Sequence, residues 1–154
     1  MTSMSIARAL SVFAGALLSA AACVTSEQSS TQRPAASLAG TSWRLVQFRG
    51  GDGQILTPDD RSKYTFQFNS DGSLVVRLDC NRGRGTWKSP EPSRLELGPL
   101  ALTRAMCPAG SLHDQIVEQW NFIRSYLIRD GHLFLSLMAD GGTYELEPVN
   151  AGTP

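Results

Sequence analysis

Beyond residue 40, apolar residues recur at every second position, in short runs broken by turn residues. This period of two limits the fold more than any other feature, because it sends side chains alternately to two faces of a strand and leaves one face to be buried. Lys63-Tyr-Thr-Phe-Gln-Phe-Asn69 puts Tyr64, Phe66 and Phe68 on one side, and Ser73-Leu-Val-Val-Arg-Leu-Asp79 does the same with Leu74, Val76 and Leu78. Ser70-Asp71-Gly72 between them is a hairpin signal. Near the C-terminus the pattern repeats: residues 126–129 turn at Asp130-Gly131 into 132–138, which turn at Asp140-Gly141-Gly142 into 143–147. Earlier strands are expected at 42–48, 85–88 and 94–97. Hairpin after hairpin makes the sheet antiparallel.

One segment departs from this period. In residues 111–125 the apolar side chains Leu112, Ile116, Trp120 and Ile123 fall at helical spacing. Ser111 with Asp114 resembles a capping box, and Pro108 blocks an earlier start. The expected fold is α+β and mostly antiparallel β. It is a curved sheet or cracked β-barrel of about seven or eight strands, with one helix packed at the open side.

The N-terminus reads as a targeting signal. A single charge, Arg8, precedes an uncharged run from Ala9 to Leu18, and the small residues Ser19-Ala-Ala-Ala22 lead into Cys23. The run is too short for a transmembrane helix, which needs about 20 apolar residues. Small residues running into a cysteine resemble the lipobox of bacterial lipoproteins, in which the cysteine is lipidated and becomes the new N-terminus. Ala20 stands where leucine is commonest, and ordinary cleavage after Ala22 would instead leave Cys23 a free thiol. An odd cysteine count favours the lipid, since three cysteines cannot all pair internally. Several acyl chains would anchor the protein stably, and Val24, rather than Asp, after the cysteine implies the outer membrane. Residues 23–37 are rich in Ser, Thr and Gln and read as a flexible tether. Residues 38–148 then form one domain, and 149–154 a tail.

Charge excludes one class of partner. Fourteen Lys+Arg balance fourteen Asp+Glu, and removal of residues 1–22 takes only Arg8. Nucleic-acid binding normally needs a strongly basic face, and none is expected here. A signal peptide implies an oxidising compartment, so Cys80 and Cys107 are expected to form a disulfide. Closing a loop of about 27 residues stabilises by roughly 3.5 kcal/mol in the chain-entropy model. A zinc site would need two more ligands, and neither His113 nor His132 has metal-like spacing to a cysteine.

Around these cysteines the sequence resembles a known family. Asp79-Cys-Asn-Arg-Gly-Arg-Gly-Thr-Trp87 and Leu102-Thr-Arg-Ala-Met-Cys-Pro108 are similar to the paired signature of the META domain, the HslJ-like family. Leu38-Ala-Gly-Thr-Ser-Trp-Arg-Leu45 resembles its first strand, and the DG hairpin before 133–138 and 143–147 its ending. The resemblance implies an antiparallel barrel cracked open beside a helix, with no established catalytic residue. It also implies a bacterial envelope protein, in a family linked to heat shock and antibiotic tolerance. A similar cracked barrel serves elsewhere as a pilotin, a lipoprotein that escorts secretion-machine subunits.

Candidate chemistry is sparse. Gly83-Arg84-Gly85 after Asn81-Arg82 could offer backbone N–H groups to an anion, but no Lys-Ser/Thr follows as in a P-loop. The plainer expectation is a tight turn with positive φ at Asn81 and the glycines. Arg82, Arg84 and Arg104 are candidates to cluster once the disulfide draws their segments together, either to bind an anionic partner or to pair with carboxylates such as Asp79. His113 beside Asp114 and the solvated His132 have no converging nucleophile in the sequence. Asp59-Asp60 reads as a loop acid pair, and Glu145 and Glu147 as the wet face of a terminal strand. Trp43, Trp87 and Trp120 are expected to fill the core with their indole N–H groups bonded. Phe66, Phe68, Trp120 and Phe134 could alternatively line a cavity for a lipid tail. The expected function is therefore non-enzymatic and needs no cofactor. It is a monomeric, lipid-anchored envelope protein at the periplasmic face that binds or stabilises an envelope protein or lipid. The alternative is a lipid carrier or pilotin-like chaperone with an apolar groove.

Overall fold

The computed structural model describes residues 37–149. Cys23, the signal segment, nearly all of the tether and residues 150–154 lie outside the described residues. Ten strands follow in order: β1 (Thr41–Gly50), β2 (Ile55–Leu56), β3 (Tyr64–Phe68), β4 (Ser73–Leu78), β5 (Asn81–Lys88), β6 (Glu96–Leu97), β7 (Ala101–Leu102), β8 (Ile123–Arg129), β9 (His132–Leu137) and β10 (Gly142–Pro148). Among the described residues the single α-helix, α1 (His113–Gln119), lies between β7 and β8. Every pairing is antiparallel, and the long path runs β6-β5-β4-β3-β1-β10-β9-β8, with β2 added to β1 and β7 to β5. The path curls into a nearly closed barrel.

The two ends of the path meet through one short contact. Leu95 donates its N–H to the Arg124 carbonyl at 2.9 Å, and Tyr126 donates to the Ser93 carbonyl at 2.8 Å. Beyond that bridge the seam carries no strand ladder among the described residues, and Leu112, Ile116 and Trp120, on α1 and its two flanks, join the core cluster. Trp120 is 3% exposed, and its indole N–H reaches the Gly98 carbonyl at 3.0 Å, tying the helix side of the seam to the segment between β6 and β7. The alternation seen in the sequence becomes one core: Tyr64, Phe66, Phe68, Leu74, Val76 and Leu78 are buried with Leu133, Leu135, Tyr144 and Leu146. Burial pushes the Tyr144 hydroxyl well above the usual tyrosine range, and it donates to the Gln119 side chain. Each tryptophan has its indole N–H bonded: Trp43 to Thr41 Oγ1, Trp87 to the Asn69 carbonyl and Trp120 to Gly98.

The helix is shorter than its apolar stripe. It ends at Gln119, a 3-10 turn spans Trp120–Phe122, and Ile123 already begins β8 opposite Leu137. All four stripe residues are nevertheless buried. The turn and the first strand residue keep Ile123 facing inward, so a helical spacing continues where the helix does not. The expected capping box does not form. Leu112 is the N-cap residue, and its N–H goes to the Tyr64 hydroxyl at 3.0 Å. Ser111 Oγ accepts from His113 N, and Asp114 turns to His113 Nδ1 at 2.8 Å.

The hairpin turns follow the chemistry of their residues. Asp130 and Gly131 both adopt positive φ, 53° and 78°, as a two-residue type I′ turn requires. Phe134 is the one proposed cavity residue that leaves the core. It stands on the outer face of β9, half-buried, with the Arg129 guanidinium 5.1 Å from its ring centroid. Glu145 and Glu147 lie on the outer face of β10, as expected. Glu147 pairs with Arg44 at 2.7 Å and Arg61 at 3.3 Å, and Glu145 takes Gln47 and His132. His132 is thus paired rather than simply solvated. Asp60 accepts the Ser62 N–H and starts the 3-10 turn at Arg61–Lys63.

Candidate binding groove beside the disulfide

The two signature segments meet at the end of the barrel that carries Tyr64 and Leu78. Asp79 and Cys80 form a two-residue turn between β4 and β5, with Asp79 at φ 56°. Cys80 is bonded to Cys107, with Cα atoms 5.4 Å apart. The bond holds the segment after β7 against the start of β5. Asn81 completes the attachment. It is 0% exposed, its amide donates to the Ala105 carbonyl at 2.9 Å, and its Oδ1 accepts from Ala105 N and Thr103 Oγ1, each at 2.8 Å. A buried asparagine bonded on both sides acts as a clamp, since either half left unpaired would be costly.

The glycines serve close approach, not a turn. Asn81 to Gly85 are strand residues, and neither Asn81, Gly83 nor Gly85 has a positive φ. A Cβ on Gly83 would sit 2.5 Å from Leu102 Cδ2 and 2.8 Å from the Ala101 carbonyl oxygen, and one on Gly85 3.1 Å from the Pro99 carbonyl oxygen. Bare strand here lets residues 99–102 lie against β5. Gly83 pairs with Val76 on one side and Leu102 on the other, so the backbone in this stretch belongs to the sheet and offers no anion cradle.

Arg82 and Arg84 stand exposed on the outer face of β5, and Arg104 is exposed just beyond β7. Among the described residues, none of the three has a carboxylate within ion-pair distance. Asp79, their expected partner, is buried and faces Lys63 Nζ at 3.9 Å instead. Lys63 is held above the usual lysine range by its hydrogen bond to Asp59 and by the charges of Asp59, Asp79 and Asp60. Arg77 lies directly across from Arg82, and its Nε donates to the Asp79 carbonyl at 3.2 Å.

Beside these residues a groove of about 660 Å³ runs between residues 100–106 and α1. Leu100, Leu102, Met106 and Val117 supply its apolar surface, and Arg104 and His113 its polar points. Met106 is 99% exposed, and Val117 is exposed on the helix. His113 Nε2 is buried with no hydrogen-bond partner. Trp120, a proposed binding residue, lies in the core instead, with its one polar atom committed. The groove was not legible as such: Leu100, Met106 and Val117 are scattered in sequence, and the spacing of Val117 places it off the apolar stripe. The chain enters the barrel at its other end, where Leu38 and Thr41 lie near Phe68 and β10 finishes at Pro148.

The family model of the META domain matches residues 36–150. The chain belongs to the META domain family. Its structure is similar to the NMR structure of a protein from Burkholderia xenovorans, with a TM-score of 0.63 and 22% identity over 73% of this chain and 84% of that one. It is also similar to the crystal structure of a DUF4847-family protein from Bacteroides vulgatus, with a TM-score of 0.52 and 15% identity over 71% of this chain and 93% of that one. At these identities the likeness is one of fold. No curated protein shows significant sequence similarity to this META domain chain.

Proposed function

We propose that this META domain protein is a non-enzymatic lipoprotein of the cell envelope, anchored through Cys23 at the periplasmic face of the outer membrane, and that it works by binding a partner in the groove between residues 100–106 and α1. The observation that carries this reading is the coincidence, in one place, of exposed apolar side chains, arginines without acidic partners, and the covalent and hydrogen-bonded attachment of the groove wall to the barrel. Preorganisation of this kind lowers the entropy lost on binding. In this groove His113 Nδ1 is bonded to Asp114, and its Nε2 is buried without a hydrogen-bond partner. The lipid-carrier alternative needs room inside the barrel, where Phe66, Phe68 and Trp120 are packed at 1–3% exposure.

Two measurements test the reading. Cys23→Ser should shift the protein from the membrane fraction to the soluble envelope fraction; a wild-type protein already soluble and without acyl mass would contradict the anchor. A photo-crosslinking residue at Val117 should give a discrete adduct in intact cells, while one at Leu127, exposed on β8, should not. Equal adducts from both positions, or none from Val117, would contradict the groove.

A further inference from the structure

We propose that the groove's occupant is an extended peptide segment, alternating apolar and acidic residues, that pairs with the free edge of β7. This rests on the groove being the binding site and goes on to name its ligand.

Three observations converge on an acidic strand. The first is the backbone. β7 pairs with β5 along one edge only, and Thr103 donates its N–H to the Arg82 carbonyl at 2.9 Å. Backbone groups alternate in direction along an antiparallel strand, so those of Leu102 point the other way, into the groove. An unpaired edge of this kind accepts an added strand through main-chain bonds, with alternate side chains filling apolar pockets. Leu100, Leu102 and Val117 supply that apolar surface.

The second observation is charge. Arg77 and Arg82 are direct cross-strand neighbours, with Cβ atoms about 5 Å apart; Arg77 is offset by the Asp60 carboxylate and the Asp79 carbonyl, whereas Arg82 has no carboxylate within ion-pair distance among the described residues. Arg84 stands on the same face, and Arg104 opens onto the groove itself. The residues on β7 that lie between these arginines and an added strand are small. Arg84 pairs with Ala101, and Arg82 adjoins Thr103. An added strand would lie two strand spacings from β5, about 10 Å, within reach of an arginine meeting a glutamate across a small side chain.

The third is the shape of the groove. It is open along its length and carries polar as well as apolar lining. An acyl chain in such a trough would stay largely wet, whereas small-molecule sites bury most of their ligand. A peptide backbone tolerates that exposure because the sheet edge satisfies one side of it and water the other.

The experiment titrates the isotope-labelled chain with three probes: an acetylated peptide of alternating Glu with Val or Leu, the same peptide with Lys replacing Glu, and sodium decanoate. The acidic peptide should bind with Kd below about 1 mM, shift amide signals of residues 100–106 and Val117, and slow exchange of the Leu102 amide. The lysine peptide should bind about tenfold or more weakly, and the double variant Arg82→Glu with Arg84→Glu should lose a similar factor while keeping the wild-type pattern of core signals. Equal binding of the two peptides, shifts centred on β8 to β10, or an unprotected Leu102 amide would overturn the proposal. If decanoate occupies the groove and the acidic peptide does not, the groove stands as a site and the peptide falls. If no probe moves these residues, both fall.

Discussion

Asn81 carries more of the site than any other single residue. Removing its side chain leaves the Ala105 N–H, the Ala105 carbonyl and the Thr103 hydroxyl without their partner. Asn81→Ala should therefore cost about 2–4 kcal/mol, more than one ordinary hydrogen bond and less than a large core truncation, as read by urea denaturation. A change below about 0.5 kcal/mol, the scale of surface substitutions, would mean that the clamp is replaced by water. Residues of this kind are only half legible in sequence. Asn81 and its following glycines suit a turn, since asparagine and glycine tolerate left-handed backbone. The left-handed residue is in fact Asp79, and the glycines are short because residues 99–102 lie on top of them. A contact between segments so far apart leaves no local pattern, so a turn was the better local inference and the wrong one. The disulfide was legible from the signal-like N-terminus and the motif around Cys80 and Cys107, not from local geometry.

At the scale of elements, periodicity located the main strands and failed at the shortest ones. β2 and β7 have two residues each and cannot show an alternation. The strand expected at 85–88 starts at Asn81, and that expected at 126–129 starts at Ile123, because glycine hides the first half of one and the helix stripe runs into the other. β7 is the element on which the groove depends, and it is held by two ladder pairs with β5, the two Arg82–Thr103 bonds, the Asn81 clamp and Cys80–Cys107. Reducing that disulfide should lower the unfolding free energy by roughly 3.5 kcal/mol and raise amide exchange in residues 103–107 before the rest of the sheet. The check is hydrogen exchange with and without reductant. Uniform exchange across the barrel after reduction would mean that the bond restrains the whole fold rather than this wall. Local opening is the expected pattern because α1 and β5 have separate attachments to the core, through Leu112, Ile116 and Trp120 on one side and the β4 ladder on the other.

At the scale of the whole molecule the interior of the nearly closed barrel is filled by side chains such as Phe66, Phe68 and Trp120, and the proposed binding therefore falls to the outer groove. The seam between β6 and β8 is bridged at residues 93–95 by two backbone bonds, and Trp120, in the turn after α1, reaches across to Gly98. A curved antiparallel sheet with one apolar face must bury that face on something, and among the described residues α1 and the turn after it are the available cover. Legibility was greatest at this scale: hairpins in series and one amphipathic stripe allow few other arrangements. The most direct measurement is denaturant titration of Trp120→Ala. A loss of about 3–5 kcal/mol, as for other large core truncations, is expected, and it is a large share of a small domain's stability. A loss below about 1 kcal/mol would mean that the stripe is not packed against the sheet, that the barrel can open, and that the interior rather than the groove is the place to look for a ligand.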